Sequence, residues 1–310
     1  LMALGIKSGD EVIVPTLTFG ATAFPVTYTG AKPVFLDVEE RSWGLDPNVL
    51  ESVLDERSQQ GRRVAAVIPV DLFGRPADYD RILPVAAEYD IPVLVDAAES
   101  LGATHHARAA GTVAQAGVYS FNGNKIMTTS GGGMLVSDDG ELVEKARFWS
   151  TQSREPFPWY EHEEIGYNYR LSNILAALGR AQLARLPEMI ERRRQIRRMY
   201  TEMLSGFEGV VVTPDPPWGR GNSWLTTVTF DRDVRPGAST RIREALQSQN
   251  IESRPIWKPM HQQPVFRGHE AHLTGVADRL FEEGLCLPSG AGLSDEDIER
   301  VADGIHQQLK

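Results

Sequence analysis

Four short aliphatic runs constrain this chain more than any other feature. Glu11–Pro15, Pro33–Val38, Val64–Val70 and Pro92–Asp96 are almost continuously apolar and rich in β-branched side chains. A strand with one wet face alternates apolar and polar residues, so runs without alternation need cover on both faces. Between the last two runs, Ala77 to Asp90 carries Ile82, Leu83, Val85 and Ala86 at helical spacing, which predicts a βαβ crossover. Gly117–Phe121 and Gly133–Val136 read as further strands. The expected fold class is therefore α/β, with a mostly parallel central sheet.

The pattern changes downstream. A helical region from Ser172 to Ser205 carries an apolar stripe of Leu175, Leu178, Leu183, Leu186, Ile190 and Ile196, and Pro187 should kink or break it. Beyond Gly206 come two strand-like runs, Val210–Val212 and Trp224–Phe230, then helices near Thr240–Gln249 and Asp295–Gln308. This reads as a smaller C-terminal α+β domain. The expected division is a large domain over residues 1–190 and a small one over 191–310 that includes the linking helix. Leu1 to Ile6 reads as the last turn of a helix, with Gly5 or Gly9 near its stop. The large domain is accordingly expected to be incomplete at its N-terminus.

Composition removes several classes of function. The net charge of -10, without a basic cluster flanked by aromatics, argues against nucleic acid. Arg192, Arg193, Arg194, Arg197 and Arg198 form the one basic run, expected to be a solvated helix face. A single cysteine, Cys286, excludes an internal disulfide framework and fits a reducing compartment. No apolar run has the length of a membrane span and none reads as a signal peptide, so a cytoplasmic protein is expected. His105 and His106 fall in an expected surface loop and receive no role.

Chemistry gathers around Lys125, between the hydroxyl of Ser120 and the glycine run Gly131–Gly133. Asp96 ends a buried strand, where ligands of open α/β sheets collect. A lysine amine forms an imine with a carbonyl cofactor when it is deprotonated. Pyridoxal phosphate (PLP) acts as an electron sink only while a carboxylate keeps its ring nitrogen protonated. By themselves Lys125 and Asp96 are better read as a surface lysine and a helix-capping aspartate. Ser120 offers a hydroxyl to a phosphate, the Ser130–Gly133 run offers close backbone approach to a bulky ligand, and Phe19 offers a ring to a pyridine face.

Glu11–Phe19, Val95–Gly102, Ser120–Lys125 and Gly166–Asn173 together resemble, in order and over the whole chain, the motifs of the DegT/DnrJ/StrS-type sugar aminotransferases. The resemblance implies a PLP-dependent fold type I architecture and a homodimer whose active sites are shared between subunits. It implies that Lys125 carries the cofactor as a Schiff base, that Asp96 pairs with the pyridine nitrogen, and that Ser120 contacts the phosphate. Phe19 would stack on the ring, and Asn168 would reach the phosphate in the neighbouring subunit's site. Some members carry His at the lysine position and act as dehydratases; lysine here favours transamination. Glu99 stands where many members place Gln beside the cofactor's ring hydroxyl. Members also have a further N-terminal stretch that donates to the cofactor phosphate.

Within the family, Tyr160–His162, Arg254–His261 and Leu285–Gly290 look most like enzymes acting on UDP-4-keto-6-deoxy-N-acetylhexosamines. The resemblance implies a 4-aminotransferase with glutamate as donor, serving glycan or polysaccharide biosynthesis. Tyr160, His162, Arg254, Trp257, Lys258 and His261 are the candidate substrate-binding residues, because a nucleoside diphosphate sugar needs cationic and aromatic partners. No metal is expected. Two other readings remain: an idle or truncated PLP- or sugar-binding relative, and a PLP-dependent sugar dehydratase.

Overall fold

The computed structural model describes residues Leu1–Lys310. The chain opens with a 3₁₀ turn, Met2–Leu4, stopped by Gly5 in the left-handed region at φ 83°. Then follow β1 (Glu11–Pro15), α1 (Gly20–Tyr28), β2 (Lys32–Leu36), α2 (Pro47–Gln59), β3 (Val64–Val67), α3 (Tyr79–Glu88) and β4 (Leu94–Asp96). Two-residue strands β5 (Thr104–His105) and β6 (Arg108–Ala109) precede β7 (Ala116–Ser120) and β8 (Gly133–Val136). The second part holds α4 (Gly140–Ser150), α5 (Asn173–Ala184), α6 (Leu186–Leu204), β9 (Val210–Val212), β10 (Gly219–Arg220), β11 (Thr226–Phe230) and α7 (Ala238–Ser248). It closes with β12 (Arg254–Pro255), β13 (Ala271–His272), α8 (Val276–Glu283), β14 (Gly284–Leu287) and α9 (Asp295–Leu309).

The continuous aliphatic runs are the parallel strands. β13, β2, β1 and β3 form one ladder, all parallel, while β4, β7 and β8 form a second in which only β8 runs antiparallel. Parallel bridges Val67–Val93 and Val70–Asp96 join the two into one sheet. Ile13, Val34, Leu36, Val67 and Val95 bury one face against Leu50, Leu54 and Ile82 of α2 and α3. The opposite face takes Val12, Val14 and Phe35 with Ala23 and Val26 of α1. Burial on both faces is the reason these runs lack alternation.

A second core surrounds the antiparallel sheet β12-β14-β11-β9, where Ile196, Tyr200 and Leu204 of α6 meet Val228, Phe230, Leu285, Ile298 and Ile305. Helix α6 begins beside Pro187 and is separated from α5 at Arg185, where the break was expected. Its Leu186 and Ile190 belong to a third cluster with Leu17, Phe73, Ile126, Trp224 and Leu280, which joins the two parts beneath the lysine loop. One late segment crosses over: β13 pairs with β2 at the edge of the N-terminal sheet. Local caps explain other starts, with Asp139 accepting from Leu142, Ser172 from Leu175, and Ser294 with Asp297 forming a reciprocal box ahead of α9.

Two expectations need correction. The basic run on α6 is only partly a solvated face: Arg198 is exposed, whereas Arg193 is half-buried and donates to the carbonyls of Trp224 and Ser289 at 2.5 and 2.9 Å. Arg194 donates to Gly221 O, and Arg197 forms a two-pronged pair with Asp215. The face is needed because the loop before β11 leaves carbonyls without sheet partners. His105 is not in a surface loop either; it is buried in β5. The glycine run also has a local structural reason. Gly132 sits at φ 92°, and a Cβ on Gly133 would stand 2.4 Å from Tyr119 O, so the β7–β8 hairpin itself excludes side chains there.

Candidate active site

The carboxyl ends of β1, β4 and β7 come out on the same edge of the sheet, the edge on which open α/β folds hold ligands. Asp96 is the last residue of β4 and Ser120 the last of the adjacent β7. Phe19 follows β1 and caps α1, with its ring 59% exposed. Loop residues 121–132 return from β7 to β8 and carry Lys125.

Asp96 is fixed through both carboxylate oxygens. Thr22, one turn into α1, donates its hydroxyl to Oδ2 at 2.7 Å, and the Ala98 N–H donates to Oδ1 at 3.1 Å. Thr18 in turn shares a 2.7 Å hydrogen bond with the Thr22 hydroxyl. The aspartate therefore presents a fixed direction rather than a mobile charge.

Lys125 is held on two sides. Its Nζ lies 3.3 Å from Glu99 Oε1 and 4.4 Å from the centroid of the Trp224 indole. Trp224 also donates its Nε1–H to Asn124 O at 2.8 Å, pinning the residue next to the lysine. Asn222 supports the wall: its amide donates to Glu99 O and Leu101 O, and its carbonyl oxygen accepts from Trp224 N.

Glu99 is buried, and burial pushes its carboxyl up to about 7, against the downward pull of Lys125 and the Phe73 N–H. That N–H meets Glu99 Oε2 at 2.7 Å from a residue at φ 54°, a conformation uncommon outside glycine. The Phe73 ring packs against Trp257 at 5.0 Å, and Trp257 against Phe19 at 5.4 Å. Phe19, Trp257, Phe73, Glu99 and Lys125 thus form one connected wall.

This donor set fits PLP. It contains an amine for a carbonyl, an oriented carboxylate for a pyridine nitrogen, an exposed ring for an aromatic face, and a hydroxyl at a strand end for a phosphate. Asn122 N–H donates to Ser120 Oγ at 3.3 Å, leaving the hydroxyl proton free to point outward.

The other expected residues are distributed differently. Tyr160, His162 and Asn168 lie on an exposed arm, residues 151–172, and their polar contacts stay within it: Arg154 over the Tyr160 ring, Gln152 O with His162, and Gln152 Nε2 with Asn168. Arg254 is exposed and paired with Glu252, and Lys258 is exposed. His261 has both ring nitrogens engaged, Nδ1 with Thr16 Oγ1 at 2.7 Å and Nε2 with Asp278 at 3.0 Å. It ties the segment after β12 to the end of β1 instead of facing open space.

Sequence reasoning missed Thr22, Phe73, Asn222 and Trp224. Thr22 lies three residues past Phe19, inside a helix whose Gly20 start and Pro25 interior hide it from a periodicity search. Trp224 was absorbed into an expected strand, although β11 begins only at Thr226.

The sequence profile of the DegT/DnrJ/EryC1/StrS aminotransferase family matches residues 1–306. EpsN of Bacillus subtilis, designated a candidate pyridoxal phosphate-dependent aminotransferase, is 46% identical over 98% of this chain and 78% of its own length. The GDP-perosamine synthase of Caulobacter vibrioides is 37% identical over 100% of the chain and 82% of its own. Among solved structures, a DegT/DnrJ/EryC1/StrS aminotransferase from Brucella abortus superposes with a TM-score of 0.91 at 31% identity, covering 100% of this chain and 82% of that one.

Proposed function

Because the chain belongs to the DegT/DnrJ/EryC1/StrS aminotransferase family, we propose that it aminates the C4 keto group of a UDP-linked 6-deoxy-N-acetyl sugar, with glutamate as donor. At the coarser level it is a PLP-dependent sugar aminotransferase of nucleotide-sugar and polysaccharide biosynthesis. The observation that carries the reading is the Lys125 amine, 3.3 Å from buried Glu99 on the edge where Thr22 and Ala98 orient Asp96.

When bound, PLP supplies an electron sink that works while its ring nitrogen stays protonated. Asp96 is the residue proposed to keep the proton at that nitrogen, and Thr22 prevents the carboxylate from turning away. Lys125 Nζ anchors the cofactor at rest. As the free amine it takes and returns the proton at the reacting substrate carbon. Trp224 and Glu99 fix where that amine stands, which a proton transfer over hydrogen-bond distance requires. Phe19 is the proposed stacking face and Ser120 the phosphate contact. Asn168 is proposed to reach the phosphate of a neighbouring subunit in a homodimer, a role that suits its place on an exposed arm.

Trp257, beside Phe19, is the best-placed aromatic for the hexose, with Arg254 and Lys258 as exposed cations for a diphosphate. Tyr160 and His162 would meet substrate across the subunit boundary. His261 acts on substrate indirectly, by holding the segment that carries Trp257 and Lys258.

The likeness to a GDP-perosamine synthase over the whole chain favours a second nucleotide, GDP. A panel of UDP-, GDP- and dTDP-linked 4-keto sugars with glutamate, read by mass spectrometry, separates the readings. The proposal expects a 4-amino product on the UDP sugar. Preferential turnover of the GDP sugar would overturn the nucleotide assignment, and loss of water without amine incorporation would overturn amino transfer.

A further inference from the structure

A second group of ionisable side chains lies where α3 begins, away from Lys125. Asp80 is the second residue of that helix, and His105 ends β5 with His106 just beyond. Asp80 Oδ2 lies 2.7 Å from His106 Nε2, and Asp80 Oδ1 lies 3.7 Å from His105 Nε2. The three donor atoms fall within 4.8 Å of one another.

Their convergence is not what a strand gives by default, because successive side chains point to opposite faces. His106 takes a φ of 48°, which turns it back beside His105, and the two rings meet edge to face at 4.5 Å. Its N–H is held by Trp218 O at 2.8 Å. Tyr79 packs edge-on against His105 at 5.4 Å while its hydroxyl is fixed on Asp71, so the buried imidazole has a fixed orientation.

The decisive atom is His105 Nε2. His105 is only 5% exposed, and this nitrogen has no hydrogen-bond partner. It faces Asp80 Oδ1 at a distance too long for a hydrogen bond. Buried polar atoms are nearly always satisfied, so an orphan aimed at a carboxylate and a second imidazole calls for a ligand.

We propose that Asp80, His105 and His106 form a binding site for one divalent transition-metal ion of the zinc class. Two imidazoles and a carboxylate suit zinc and its neighbours, whereas calcium and magnesium prefer all-oxygen shells. Ligand bonds of about 2.0–2.2 Å in tetrahedral geometry set donor atoms roughly 3.3 Å apart. Measured to the two different oxygens of Asp80, the contacts of 2.7 Å to His106 and 3.7 Å to His105 lie on either side of that spacing. Asp80 and His106 are each more than half exposed, leaving an open side for water as the remaining ligand.

The ion would be a brace. It would join the start of α3 to β5, and β5 pairs with β10. Two residues beyond β10 stands Asn222, followed by Trp224, the wall of the lysine site. The metal itself takes no part in the lysine chemistry.

The test uses the full chain with its cofactor bound, stripped of metal by dialysis. Cobalt(II) chloride and zinc chloride are titrated in turn. One ion per chain, visible d–d absorption with cobalt, and a raised unfolding temperature with zinc are expected. His106→Ala and Asp80→Asn alter exposed side chains and should fold; each should weaken zinc binding about tenfold or more and remove the thermal gain. Metal-free aminotransferase activity should be unchanged in both. Absence of binding at a large excess of zinc, or equal affinity and stoichiometry in an Asp80→Asn, His106→Ala double variant, would overturn the proposal.

Discussion

The Lys125 amine and the Glu99 carboxylate face each other at 3.3 Å, with the glutamate buried and its second oxygen held by the Phe73 N–H. A glutamine in that position would not titrate, and with a single acceptor oxygen it could take only one of these two contacts. Glutamate instead makes the lysine's surroundings depend on pH. Its carboxyl is raised by burial from 4.5 to about 7, so the folded chain keeps a proton there that the unfolded chain gives up.

The sign follows from proton linkage. The stabilisation is fully present below the ordinary glutamate value and is lost as pH rises through about 7. The difference corresponds to roughly 3 kcal/mol. Urea midpoints of cofactor-free protein should therefore fall between pH 5 and 8, and Glu99→Gln should flatten much of that slope. Asp71, buried and raised to about 6, leaves a residual slope of the same sign. Identical slopes in wild type and variant would refute the assignment.

Lys125→Ala removes both the anchor and the proton carrier. Amino transfer should drop by roughly 10²–10⁴-fold, the range in which a positioned acid–base group contributes. Borohydride treatment should fix cofactor to the wild-type chain and not to the variant, as read by intact mass.

Thr22→Val keeps the shape of the side chain and removes the hydroxyl that orients Asp96 at 2.7 Å. A hydrogen bond to a charged group contributes about 1.5–3 kcal/mol. The variant should lose about tenfold to a hundredfold in kcat/KM, and Thr22→Ser should recover most of it. Asp96→Asn should be worse than either, because it removes the charge and not only its orientation.

Trp224→Leu takes away the indole face beneath Nζ and the hydrogen bond to Asn124 O. Cofactor affinity, followed by absorbance titration, should weaken about tenfold, in keeping with a cation–π contact of roughly 0.5–2 kcal/mol plus one lost hydrogen bond. Trp224→Phe should fall between, since it keeps a ring but not the N–H. Unaltered affinity in both would show that the wall does not restrain the lysine.

Much of this arrangement was legible in the chain because the strands announce themselves. Runs such as Val12–Val14 and Val93–Val95 need two covered faces, and that need alone places Asp96 at a sheet edge. Lys125 stands out for a related reason, between two strands joined by a glycine hairpin. What stayed hidden is what arrives from far along the sequence. Trp224 and Asn222 meet Lys125 and Glu99 across about a hundred residues or more, and no local period encodes such a contact. Arg193 read as a surface charge because helix periodicity reports which face is apolar, not which carbonyls a half-buried cation must satisfy.

Asp37 is the strongest case of a distant contact, and it carries the last prediction. The residue follows β2, is 1% exposed, and caps α8 from another part of the chain. Its Oδ2 accepts from the N–H groups of Thr274, Gly275 and Val276 at 2.7, 2.7 and 3.2 Å and from the Thr274 hydroxyl at 3.0 Å. Its Oδ1 accepts from Val38 and Ala277 at 2.8 and 3.0 Å. Burial alone would raise this carboxyl, but the backbone donors outweigh it and hold it below the ordinary aspartate range. Such a group stabilises the fold above the unfolded value and loses that contribution as pH falls through its lowered folded value. Asp37→Ala leaves helix-end donors without partners and should cost at least about 2 kcal/mol at pH 7, read from denaturant midpoints. Asp37→Asn should cost less, and its deficit against wild type should shrink as the pH drops below about 4. A deficit that stayed constant into acid would mean that shape, rather than the charge of Asp37, holds α8 in place.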